Sequence, residues 1–138
     1  MDDRSSLAPL CFETRIDATR EEIFPYLIES SLITQWLFGN SAELLPEPGG
    51  AFVVNTDDMQ VRGEYLVVEP PHRVSFTWGI VGNTELPAGS TTVEITLTAE
   101  GEGTLVQLLH RDVPSTRRED HAAGWVACLD RLSHIAGR

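Results

Sequence analysis

The sequence predicts an α+β domain in which a curved antiparallel sheet of about six to seven strands keeps its helices on one side. Three observations predict it. One strand and two short helices open the chain, about six strands follow with turns and one loop, Gly79 to Gly89, between them, and one long helix closes it. Helices segregated to one side of an antiparallel sheet make this an α+β layout. The closing helix carries an apolar stripe that must be buried, and the concave face of the sheet is the surface available.

The first eight or nine residues read as a loose lead-in ending at Pro9, so the ordered core spans about residues 10–136 of a single domain, 1–138. Leu10 to Ile16 reads as the first strand. Asp17 or Thr19 can cap a helix over about Arg20 to Ile28, with Glu21 and Glu22 suited to its positive end. A second short helix runs Ser30 to Trp36 and stops near Gly39-Asn40. Strands are predicted at Ala42–Leu45, Ala51–Asn55, Val61–Glu69, Arg73–Trp78, Thr91–Ala99 and Thr104–His110, divided by Gly, Pro and Asp turns. From Ser115 onward the chain reads as one long helix. At about 100° per residue, His121, Gly124, Trp125, Cys128, Leu132 and Ile135 share a face of it. That stripe mixes a wide aromatic, a residue without a side chain, a thiol and an imidazole. Such a face can pack on a sheet and still leave space beside it, as a lid over a pocket does.

Period-two alternation assigns the strand faces. Val106, Leu108 and His110 share one face of the last strand. Val93, Ile95 and Leu97 face inward against polar Thr92, Glu94, Thr96 and Thr98. Val74, Phe76 and Trp78 oppose Ser75 and Thr77. In the strand before them, Glu64, Leu66 and Val68 are read as the inward set.

Of the 138 residues, 41% are hydrophobic and 22% charged, an ordinary balance for a globular domain large enough to bury a core. The net charge is −11, and all ten cations are arginines. Nucleic-acid binding and docking on an anionic membrane both need clustered cations, so neither is expected. No segment approaches the roughly 20 apolar residues of a membrane span, and the N-terminus lacks a signal-peptide core. Cys11 and Cys128 are too few for a disulfide framework, so a reducing cytoplasm is expected, although a bridge between these two stays open.

Several segments line up with a known family: Ile16-Asp17-Ala18, Leu32 to Trp36, Pro48-Gly49-Gly50-Ala51-Phe52 and Gly63-Glu64-Tyr65. Further on come Glu69-Pro70-Pro71-His72-Arg73-Val74, Phe76-Thr77-Trp78, Gly103-Thr104-Leu105, Leu108-Leu109-His110 and His121-Ala122-Ala123-Gly124-Trp125. In order and spacing they resemble the START-like (SRPBCC, helix-grip) superfamily, and most nearly its homologues of the heat-shock-chaperone ATPase activator. The resemblance covers about residues 11–136. It implies a curved sheet gripping the C-terminal helix, with a cavity between them that often holds a hydrophobic small molecule. Relatives include lipid carriers, aromatic polyketide cyclases and hormone-binding proteins, so the fold alone does not give the function. The chain has no second domain like that of eukaryotic chaperone activators.

The candidate ligand-binding residues follow. Trp36, Trp78 and Trp125 occupy the family's aromatic positions and can either wall a pocket or fill the core. Phe76, Val106 and Leu108 add an apolar inner face. His110 is either a hydrogen-bonded core histidine or a polar anchor, and as a general acid/base it would need Glu64 beside it. His121 points at the cavity mouth or joins helix to sheet, with Cys128 one turn beyond Trp125. Arg62 shares the face assigned to Glu64. The run Arg117-Arg118-Glu119-Asp120 reads as a solvated first turn. His110, Asp112, His121 and Cys128 are possible metal ligands but lack a ligand spacing such as H-E-x-x-H or C-x-x-C. No phosphate loop, G-x-S-x-G or dinucleotide fingerprint occurs, so neither a metal nor a cofactor is expected.

The leading expectation is a binding module for a small hydrophobic or aromatic molecule. An enzyme using the same cavity, such as a cyclase, dehydratase or hydrolase, would require a carboxylate near His110. A chaperone activator-like interaction protein, engaging a protein partner through its acidic surface, would have a solid core.

Overall fold

The structure, a computed structural model, describes residues 8–137. Most of the expected N-terminal lead-in lies outside the described residues. Seven strands form one antiparallel sheet: β1 (Leu10–Ile16), β2 (Ser41–Leu44), β3 (Ala51–Asn55), β4 (Gln60–Glu69), β5 (Arg73–Trp78), β6 (Thr91–Glu100) and β7 (Gly103–Arg111). Their spatial order is β1-β7-β6-β5-β4-β3-β2. Strands β2 through β7 pair in sequence order, β5 and β6 across a loop over residues 79–90, and β1 alone pairs out of order, with β7.

Thr19 starts the helical segment with a capping box: its hydroxyl accepts from the Glu22 N–H while the Glu22 carboxylate accepts from the Thr19 N–H. The first expected helix is interrupted, giving α1 (Arg20–Ile23) and α2 (Pro25–Ile28). Pro25 has no N–H to continue the ladder, so a new turn begins with proline at its first position. The second is α3 (Ser30–Trp36). A single 3-10 turn, Ser115–Arg117, leads into α4 (Arg118–Ala136).

The inner face of the sheet, α1 to α3 and α4 share one core. Trp125, Leu129 and Leu132 of α4 pack with Ile95, Val106 and Leu108 of the sheet and with Ile33 and Trp36 of α3. Ladder residues Val93, Ile95, Leu97, Val106, Leu108, Val74 and Phe76 are buried as alternation predicts.

The assignment for β4 is corrected. Glu64 and Leu66 are exposed, and Tyr65 is fully buried with its hydroxyl donating to the Leu27 carbonyl at 2.9 Å. Buried Val61 and Tyr65 alternate regularly with exposed Arg62, Glu64 and Leu66, and the break comes only after them. Gly63 lies so close to β5 that an added Cβ would fall 1.9 Å from the Thr77 carbonyl oxygen. A bulge between Tyr65 and Val67 then shifts the register, so Tyr65 opposes Phe76 whereas Val68 opposes Val74. Val68 therefore turns inward against the core, but Glu64 does not. Arg62 is also exposed.

Candidate functional site

The α4 stripe begins at the end of the sheet where β5 stops. There Trp78 meets Trp125 with ring centroids 5.1 Å apart. His110 of β7 and His121 of α4 close the group, their rings 5.4 Å from each other. Phe76 connects these rings to the interior, stacking on Phe52 at 4.0 Å, while Tyr65 meets Phe52 edge-on.

Donor chemistry orients both imidazoles. An indole nitrogen can only donate. Trp125 Nε1 donates to His110 Nδ1 at 2.9 Å, so that nitrogen is unprotonated. The proton of neutral His110 sits on Nε2, 2.8 Å from Thr91 Oγ1. The Thr91 hydroxyl in turn donates to the Trp78 carbonyl at 2.7 Å. A second bond of the same kind joins Trp78 Nε1 to His121 Nε2 at 3.3 Å, leaving His121 Nδ1 to donate to the Arg117 carbonyl at 3.3 Å. Two tryptophans are thus each held by a neutral histidine.

Burial reinforces these protonation states. His110 is 0% exposed, and desolvation, with a smaller repulsion from His121, pushes its pKa down to about 3. His121 is lowered as well, chiefly by burial, against the opposing effect of its bond to the Arg117 carbonyl. Burial drives the Cys128 thiol up to about 12, so it stays protonated and unreactive at neutral pH. Cys11, exposed on β1, and Cys128 are both free thiols. Among the described residues no group of three or more His, Cys, Asp or Glu side chains could hold a metal ion.

A cavity of about 380 Å³ opens beside this cluster, within the size range of small-molecule sites. Trp78, His121, Gly124, Trp125 and Cys128 form its inner wall. Val61 and Ile80 add a flank, Met59 and Thr56 come from the β3–β4 turn, and Leu37 and Phe38 from the end of α3. Phe38 has φ +56°, an uncommon conformation for a bulky residue, and lies half-exposed at the rim under the Arg131 guanidinium, 5.6 Å from its ring centroid. Arg117 and Asp120 complete the lining.

Of the residues singled out in the sequence, Trp78, His121, Trp125 and Cys128 meet at the cavity. Trp36, Phe76, Val106, Leu108 and His110 do not line it. Trp36 is fully buried and bonded through Nε1 to the Tyr26 carbonyl at 2.9 Å, and the others fill the core behind the cavity wall. Glu64 lies on the outer face, away from His110, whose two nitrogens are already engaged. Sequence reasoning missed Leu37, Phe38, Met59 and Ile80, which sit at element ends and in turns where no periodicity marks them. It also set Arg117 and Asp120 aside as a solvated turn. Their signal was present: positions 117, 120, 121, 124, 125 and 128 continue one helical face.

Comparisons with known proteins agree with this architecture. The family model described as Activator of Hsp90 ATPase homolog 1-like protein matches residues 17–137. Among solved structures, protein MLL2253 from Mesorhizobium loti is similar at 23% identity with TM-score 0.80, over 91% of this chain and 94% of that one. CalU16 from Micromonospora echinospora shares 26% identity with TM-score 0.73, over 90% and 73%. The Aha1 dimer from Colwellia psychrerythraea, at 17% identity, gives TM-score 0.80 over 94% and 96%. No curated protein matches the chain. A seven-stranded sheet gripping a C-terminal helix, matched by this model over nearly its full length, makes the chain a member of the Activator of Hsp90 ATPase homolog 1-like family, within the START-like (SRPBCC) superfamily.

Proposed function

We propose that the protein binds a small hydrophobic, ring-bearing molecule in the cavity between the end of the sheet and α4. The observation that carries this reading is Gly124. It lies within a 19-residue helix, where glycine costs about 1 kcal/mol relative to alanine, and a Cβ built on it meets nothing within 4 Å. The helix is left bare where it faces the cavity. Around that opening, Trp78 and Trp125 offer flat faces for a ring, and Cys128, Val61 and Ile80 offer apolar contact.

The catalytic reading has less support. It needs an imidazole free to move a proton, with a carboxylate beside it. Both nitrogens of His110 are held inside the core, and Glu64 is on the opposite face. A protein partner is the second reading, favoured by the family to which the chain belongs. The two readings separate on one variant. Gly124→Leu fills the cavity from a position with open space, so it abolishes small-molecule binding and leaves a surface interaction intact.

Thermal unfolding with a panel of neutral aromatic compounds tests the proposal. A compound at one hundred times its dissociation constant stabilises the folded state by about 2.7 kcal/mol, which raises the wild-type melting temperature by several degrees. The Gly124→Leu protein shows no such rise. A flat response of the wild type to every compound would remove the proposal.

A further inference from the structure

We infer that the molecule bound in this cavity is an amphiphilic anion: an apolar ring-bearing body with one acidic group, which is received by Arg117. The inference rests on the binding reading above and names the chemistry of its ligand. It starts from a guanidinium with an unmet need. Arg117 lines the cavity, and its Nε is shielded from solvent with no hydrogen-bond partner among the described residues. A buried donor left without an acceptor costs about 1–3 kcal/mol, and more for a charged group. Nε itself is closed off even from the open cavity, so an occupant is met by the rest of the guanidinium, which has no hydrogen bond or ion pair among the described residues.

Several other arginines are provided for, and Arg62 and Arg111, which have no such partner among the described residues, are exposed to solvent. Arg15 bonds Asp17 and Glu100, and Arg73 bonds Glu69 and Glu94. Arg118 donates to the Ala8 carbonyl, and Arg131 to that of Gln35. Arg117 makes no ion pair among the described residues. It is also the only permanent cation lining the cavity, since His121 is held neutral by Trp78. Asp120 is the one carboxylate in the lining. It is exposed and does not pair with Arg117, so the guanidinium remains available for an anion from outside.

The backbone supports this placement. The Arg117 N–H donates to the Pro114 carbonyl at 2.9 Å, and its own carbonyl accepts from His121 Nδ1. The residue is therefore fixed at the start of α4, one turn from His121 and two from Gly124 and Trp125. An apolar body against Trp78 and Trp125 then leaves its acidic group at the Arg117 end. A guanidinium suits a carboxylate or sulfonate because its planar N–H groups can donate to two oxygens at once.

Two fluorescent probes with the same aromatic body test this inference: anionic anilinonaphthalene sulfonate and neutral phenylnaphthylamine. The wild-type protein, titrated in the folded state at neutral pH, is expected to bind the anionic probe about tenfold more tightly, as suits one charge-assisted contact. Arg117→Gln is expected to erase that preference, weakening the anionic probe about tenfold more than the neutral one. Arg117→Lys restores part of it. Gly124→Leu abolishes binding of both probes, which locates them in the cavity. If the neutral probe binds as tightly as the anionic one, or if Arg117→Gln weakens both alike, the acidic-group inference fails and the binding cavity stands. If neither probe binds, both readings fall. The wild-type preference is decisive even if the Arg117 variants do not fold.

Discussion

His110 shows most clearly how one residue type can support opposite readings. On an inward strand face, imidazole suits general acid/base work or structural hydrogen bonding equally well. Its partners decide the matter: an indole N–H on one nitrogen and a threonine hydroxyl on the other leave nothing for a substrate. His110→Phe keeps a ring but strands the Trp125 N–H, which should destabilise the protein by about 2–4 kcal/mol in denaturant unfolding. The same residue sets a pH dependence. Its folded pKa of about 3 lies below the ordinary imidazole value of 6.5, so the unfolded chain binds the extra proton between these limits. Its stabilising contribution is therefore complete above pH 6.5 and is lost as pH falls toward 3, by up to about 1.4 kcal/mol per unit. Unfolding curves over this window should slope less for His110→Phe than for the wild type, and equal slopes would contradict the assignment.

Among the elements, β4 and α4 use glycine for opposite reasons. At Gly63 the backbone of β5 occupies the space a side chain would need, so Gly63→Ala forces the strands apart and should cost about 3 kcal/mol or more. At Gly124 the space is empty, so Gly124→Ala should stabilise the helix by roughly 0.5–1 kcal/mol. Thermal melts of the two variants should move in opposite directions. These elements also show how far the pattern could be read. The hairpin β6–β7 and strand β5 alternate regularly, and their faces follow from the residues alone. In β4 the bulge at Leu66 is a tertiary effect that depends on where β5 lies, and reading Glu64, Leu66 and Val68 as one face across it put Glu64 on the wrong side. The split between α1 and α2 was foreshadowed by Pro25, whereas the end of α3 runs one turn into Phe38, a conformation nothing in the local sequence signals.

The whole molecule is a sheet whose inner face is solid at one end and hollow at the other. The solid end contains Trp36, Phe76, Val106 and Leu108, the hollow end contains Trp78, His121, Trp125 and Cys128, and His110 is buried directly behind the wall of the hollow end. Sequence order cannot divide these two groups, because both share inward faces. The stripe on α4 was legible because its composition is unusual, and its upstream part was not because charged residues there resemble a solvated turn. Among the described residues no helix is long and apolar enough to cross a membrane. The hollow end is the proposed ligand site. The three indole N–H groups report on it separately by two-dimensional NMR: those of Trp78 and Trp125 at the cavity wall, and that of Trp36 bonded to Tyr26 in the core. Titration with phenylnaphthylamine should shift the Trp78 and Trp125 signals, leave Trp36 in place, and shift none of them in Gly124→Leu. An unmoved spectrum of the wild type, or equal shifts in the cavity-filled variant, would contradict the claim.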